Sequence, residues 1–205
     1  IRGDAPPFPY LPSARLYRAP LPRTKAVSAR PAVTLHGTLT AGGREVDVDG
    51  WPGMVGHNWG AEHAERWIWL HGGGLDAILG RVRVGPVLTP WIANGFVELD
   101  GHRHRIGGLA RPAQVDEAPE RCAFTIKGAG RGAPDVVGEV VAPRDGLVAW
   151  VYGDPSGGEH HSIHSSLARV RLDVGGRTVE ATGATYELGV RERDHGVPVA
   201  PFDDP

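Results

Sequence analysis

The sequence predicts an antiparallel all-β fold, a barrel or a sandwich, and three observations carry the prediction. Ala41-Gly42-Gly43, Asp100-Gly101 and Gly175-Gly176 each stand between strand-like runs, and Asp-Gly and Gly-Gly pairs are the strongest short-range hairpin signal because their positive φ matches the twist of the flanking strands. Further apolar-alternating runs recur about every ten residues, the rhythm of sandwiches and barrels. The 30 Gly and 18 Pro are dispersed among Val, Ile, Leu and Thr runs, and no window sustains a helical 3.6-residue period. At 205 residues the chain is long enough to bury a core of its own.

In chain order, residues 1–31 form an arm. Pro6, Pro7, Pro9, Pro12, Pro20, Pro22 and Pro31 exclude helix interiors. Phe8, Tyr10, Leu11, Leu16 and Tyr17 make it too apolar for a solvated tether, so it is expected to dock on a barrel or to be the junction to a missing upstream domain. Residues 32–205 are expected to form one β-domain. Its hairpins pair VTLHGTL (33–39) with REVDV (44–48), GFVEL (95–99) with HRHRI (102–106), and RVRLDV (169–174) with RTVEAT (177–182). Further strands are expected at 64–71, 75–85, 87–99, 121–127, 135–142, 146–153 and 160–174, with a single helical turn around Ala61 to Arg66.

Composition narrows the chemistry. A net charge of −2 with scattered arginines offers no footprint for a phosphate backbone, so nucleic acid is not an expected partner. The lone Cys122 excludes an intrachain disulfide, and in the alternating run RCAFTIKG it reads as a buried, inert thiol. No run approaches the roughly 20 apolar residues that span a bilayer, and a cytoplasmic location is expected. The chain opens on Ile1, which reads as a processed piece. There is no G-x-S-x-G elbow, phosphate-binding glycine loop or H-E-x-x-H pair, which disfavours covalent and nucleotide-driven chemistry, and no cofactor is expected.

The densest chemistry lies in residues 53–72, which hold three of the 10 His (His57, His63, His71) and three of the 6 Trp (Trp59, Trp67, Trp69). On a strand, period two puts Trp67, Trp69 and His71 on one face and Arg66, Ile68 and Leu70 on the other, and His57 shares a face with Trp59. Indole supplies a broad apolar surface with one donor, and imidazole titrates near neutral pH. The expectation is an inward pocket that holds an apolar molecule, with His57 or His71 as proton donor, Asp76 as carboxylate partner, and Asn58, Trp59, His63, Trp67 and Trp69 as lining; the bland alternative is that the indoles are barrel core. Glu159-His160-His161 with His164 has metal-like spacing, yet His160, Ser162 and His164 share one face while His161 points away; solvated histidines beside a turn are expected there, and no metal. In YELGVRERDHG, Arg191 is expected to clamp a carboxylate or pair with Glu187 at a barrel mouth.

The motif GHNWG (56–60) followed by RWIWLHG (66–72), with YGDPSGGEHHSIHSSLA (152–168) and YELGVRERDHG (186–196), resembles the tocopherol cyclase and carotenoid 1,2-hydratase superfamily, in an actinobacterial branch. The resemblance implies a lipocalin-like (calycin) fold, two barrel halves in tandem of which this chain matches the later part, so that the tandem is incomplete. Where the hydratases carry an acidic residue before the His-Asn-Trp-Gly tract, this chain has Gly56, and the carboxylate that would orient His57 is missing from that position. The resemblance further implies cofactor-independent, acid-initiated cyclisation, hydration or isomerisation of a hydrophobic terpenoid- or polyketide-like molecule, with a membrane only as the source of such a substrate. A non-catalytic lipocalin-type carrier and a structural or interaction β-domain completed by a missing half are the alternatives. Oligomeric state is not legible.

Overall fold

The computed structural model describes residues 1–155 and 157–200, and its regular structure is almost wholly antiparallel β. The chain divides into two compact units, residues 1–61 and 62–205.

In the first unit, β1 (Phe8–Pro9), β2 (Thr24–Leu35), a separate hairpin β3 (Thr38–Ala41) with β4 (Arg44–Asp47), and β5 (Trp51–Gly60) follow in order. β1, β2 and β5 form a three-stranded sheet. The proline-rich arm therefore carries regular structure, and β2 runs through position 31, where it was expected to give way to the β-domain. β2 slips in register between Arg30 and Val33, around Pro31, which has no N–H for the ladder. The Tyr17 hydroxyl ties the arm down by donating to the Ala26 carbonyl (2.8 Å) while accepting from the Leu11 N–H (3.1 Å).

The second unit contains β6 (Arg66–Gly72), β7 (Leu75–Arg81), a short hairpin β8 (Arg83–Val84) with β9 (Val87–Leu88), β10 (Ile92–Leu99), β11 (His102–Gly107), β12 (Gln114–Ala118), β13 (Arg121–Ile126), β14 (Val136–Val141), β15 (Val148–Gly153), β16 (Glu159–Val174) and β17 (Arg177–Val190). Ten of these strands make one antiparallel sheet in the order β11-β10-β7-β6-β17-β16-β14-β13-β12, with β15 beside the N-terminal part of β16. The sheet curls so that β11 meets the segment that follows β13. Ile106 bridges Gly128, the Gly107 N–H donates to the Lys127 carbonyl (2.7 Å), and the Ala129 N–H donates to the Arg105 carbonyl (3.0 Å).

All three expected turns close hairpins, with φ of +56° and +73° at Gly42-Gly43, +53° and +75° at Asp100-Gly101, and +56° and +83° at Gly175-Gly176. Gly73-Gly74 closes a fourth, between β6 and β7. The segment 61–65 contains no helical turn, the run 75–85 breaks at Val82, and β12 is a strand the alternation did not reveal.

Inside the curl lies a filled apolar core. Ile68, Leu70, Ala77, Leu79, Ala93, Ile106, Phe124, Val140, Leu172 and Leu188 belong to one buried cluster, and each aliphatic side chain of this kind contributes about 1.5–3 kcal/mol by leaving water. Tyr186 on β17 spans it. Its hydroxyl donates to the Ala118 carbonyl at the end of β12 (2.7 Å), and burial pushes its pKa up. Cys122 is fully buried in the same cluster, and its thiol is pushed up to about 12, foremost by burial.

Candidate functional site

The alternation read from residues 66–71 holds in the structure, but the inward face is Ile68 and Leu70. Trp67, Trp69 and His71 stand on the opposite face of β6, because Ile68 and Leu70 pair across strands with the core residues Leu79, Leu188, Ala77 and Tyr186. The indoles are half-buried, and what flanks them is polar.

Two similar groupings stand side by side on that face. In the first, the Trp69 indole N–H donates to Asp76 Oδ1 (3.3 Å), and His71 Nδ1 lies 3.8 Å from the same oxygen. Asp76, expected as a carboxylate partner, is wholly buried directly across from His71. In the second, the Trp67 indole N–H donates to Glu187 Oε1 (2.6 Å), and His164 Nδ1 lies 3.9 Å from Oε2. Burial works to raise the Glu187 pKa, but the nearby polar groups of His164, Trp67 and Ser162 outweigh it and hold the carboxyl below its ordinary value. Trp69 and Glu187 are direct cross-strand partners, so the groupings are adjacent rungs of one ladder. Each places a carboxylate between an indole N–H and an imidazole.

A glycine makes room for the second grouping. Trp67 pairs with Gly189 and lies flat on it, so that a Cβ added at 189 would be 2.0 Å from the indole Cε2. Close cover of a strand glycine by a cross-strand aromatic is the reason for glycine there.

His160 and His161 are not solvated. As expected, His160, Ser162 and His164 share a face, pairing with Tyr152, Trp150 and Val148 of β15. His160 is fully buried, with its ring 5.1 Å from Trp67 and its Nδ1 3.4 Å from Asp154 Oδ2. His63 stacks on Trp67 with ring centroids 5.5 Å apart. His161 turns the other way, and its Nδ1 is 2.9 Å from His195 Nε2. Arg191 does not pair with Glu187. It is held by Glu65 Oε2 (3.0 Å) and Asp154 Oδ2 (3.1 Å), and Glu187 is engaged by Trp67 and His164 instead.

The remaining expected residues belong to the first unit. His57, Asn58 and Trp59 are exposed on β5; the His57 ring packs face-on against Trp59 (5.3 Å, 17°), and Tyr17 stacks on Trp59 as well (5.8 Å, 26°).

Acid should loosen the fold through two imidazoles whose charging burial opposes. His160 and His195 are both pushed below the ordinary value of 6.5 by burial first, aided by Arg191 at His160 and by His161 at His195. As pH falls through 6.5 the unfolded chain takes up these protons before the fold does, so their contribution is complete above 6.5 and fades below it. The lowered carboxyls, Glu65 and Glu187, lose their contributions only below their ordinary 4.5. The urea midpoint should therefore already fall between pH 6.5 and 4.5. A flat midpoint across that window would contradict the assignment.

The chain is similar to two proteins of Mycobacterium tuberculosis, from two strains, both described as uncharacterised. Each is 27% identical over 220 residues, which cover 93% of this chain and 59% of the relative. The chain thus spans less than two thirds of the length of the relatives it matches. No protein-family model matches it, and neither does any solved structure.

Proposed function

We propose that the second unit binds a hydrophobic terpenoid- or polyketide-like molecule across Trp67 and Trp69 and protonates it there without a cofactor, starting a cyclisation, hydration or isomerisation. The observation that carries this reading is the pair of adjacent indole–carboxylate–imidazole groupings on one face of β6 and β17. Protonating an alkene requires a donor held against an apolar surface that tolerates developing positive charge, and the negative face of indole does this. In the proposed step, His71 gives a proton from Nε2 to a ligand carbon and keeps the Nδ1 proton, which faces the buried Asp76 carboxylate at 3.8 Å. Trp69 and Trp67 face the resulting cation, and Glu187 with His164 offers a second such pair. The ligand lies on the face opposite the core, since the interior is occupied by Ile68, Leu70 and their partners.

Retinol, an apolar polyene, tests the reading. It should quench tryptophan emission, and Trp69→Ala should weaken binding by about 1–3 kcal/mol, roughly 5- to 150-fold. His71→Ala should retain binding and abolish any turnover; binding without turnover in the unmodified protein would favour a carrier. Unchanged emission with retinol, or equal affinity in Trp69→Ala, would remove the proposal.

A further inference from the structure

We propose that His160 is a general base, oriented by Asp154, in a second site where His63 covers Trp67, taking a flat conjugated ligand that carries an ionisable hydroxyl, a phenol or an enol. The inference goes beyond protonation by His71 and does not depend on it.

His160 is fully buried, yet among the described residues neither ring nitrogen has a hydrogen-bond partner. Buried polar atoms are nearly always satisfied, and a ring that merely filled space there would be cheaper as an apolar side chain. Nδ1 is not without guidance: it faces the buried Asp154 carboxylate at 3.4 Å. That carboxylate is itself gripped by Arg191 NH2, and Arg191 by Glu65. A carboxylate on the Nδ1 side selects the tautomer with its proton on Nδ1 and leaves the lone pair on Nε2. A buried imidazole presenting a lone pair is a base in need of a proton.

His63, from the irregular segment before β6, lays its ring on Trp67 at 29° and meets His160 edge-on at 5.8 Å and Tyr152 at 6.3 Å. A flat heteroaromatic ring supplied by the chain thus already touches both the indole and the base. A flat ligand that displaced His63 would contact the same two groups. The charged and titratable groups around His160 are Asp154, Arg191, His63, Glu65 and Tyr152. Burial, Arg191 and His63 oppose charge on the free ring, which is therefore the neutral, accepting form at neutral pH, while Asp154 and the anion formed beside it favour the proton once it is transferred. The step balances simply. The ligand O–H bond breaks, an N–H bond forms at Nε2, the ligand remains as phenolate or enolate, and the new imidazolium lies against Asp154; the proton returns on release.

The probe is 4-nitrophenol, whose anion is yellow and whose neutral form is not. At a pH where the free probe is mostly protonated, the protein should quench in tryptophan emission and the bound probe should turn yellow. His160→Gln should keep the quenching and lose the colour, Asp154→Asn should reduce the colour several-fold, and His63→Ala should tighten binding several-fold by clearing the indole face. Absence of binding, binding without colour in the unmodified protein, or full colour in His160→Gln would each overturn the proposal. Should His160→Gln fail to fold by circular dichroism, the unmodified protein decides through histidine ring ¹⁵N shifts: His160 should be an Nδ1–H tautomer alone and doubly protonated with the probe, and an unchanged ring would overturn the proposal. Retinol binding to Trp69→Ala tests the His71 reading separately, so either can fail without the other.

Discussion

Tyr186→Ala is expected to destabilise the second unit by about 3–5 kcal/mol, the range for truncating a buried aromatic. Tyr186 is fully buried between Leu70 of β6 and Ser165 of β16. Its hydroxyl reaches across the interior to Ala118, four strands away in the sheet order. Truncation therefore leaves a cavity and strips a part-buried carbonyl of its donor. Tyr186→Phe separates the two effects and should cost about 0.5–1.5 kcal/mol, the net worth of one hydrogen bond. Urea unfolding followed by tryptophan emission measures both. Equal stabilities for Tyr186→Ala and the unmodified protein would mean that the interior is not the closed, packed space described.

Gly189→Ala should act on stability and on the site together. Gly189 has no left-handed φ, so the added methyl meets no backbone strain, but it would fall within 2.0–2.3 Å of three indole atoms of Trp67. Overpacking of this kind costs about 1–3 kcal/mol. The indole must swing away, which breaks its bond to Glu187 and its contact with His160. Binding of a ligand seated on Trp67 should weaken more than tenfold, on the order of the 1.4 kcal/mol that one hot-spot aromatic readily supplies. Gly130→Ala is the control, because nothing lies within 4 Å of its added methyl; it should stay within about 0.5 kcal/mol of the unmodified protein. If Gly189→Ala behaves like the control, Trp67 does not rest on Gly189.

What was legible in the sequence was local. Two-residue turns with positive φ can be read from Gly-Gly and Asp-Gly, and the faces of 66–71 follow from period two alone. Which face points inward was not legible, because both faces of RWIWLHG are largely apolar and only the partners on β7 and β17 decide. Asp76 could not be recognised as buried for the same reason: three glycines before it look like an exposed loop, and its cover comes from Trp69 and His71 across the hairpin. The dyad of His160 and Asp154 was missed more completely. The signal was present, a histidine on the face shared with Ser162 and His164, but β15 and β16 pair around a turn whose geometry sets Asp154 beside His160, and Arg191 arrives from the end of β17. Charged residues in alternation look like a solvated surface until their partners are known.

A hydrophobic ligand is expected to seat on the Trp67 and Trp69 face and not in the interior. Side-chain NMR of the protein titrated with retinol tests this directly, by following the indole N–H signals of Trp67 and Trp69 against the methyl signals of Ile68 and Leu70. Large, saturable shifts are expected in the two indole signals, with the Ile68 and Leu70 methyls nearly still. Shifts in those methyls with the indoles unmoved would contradict this seating.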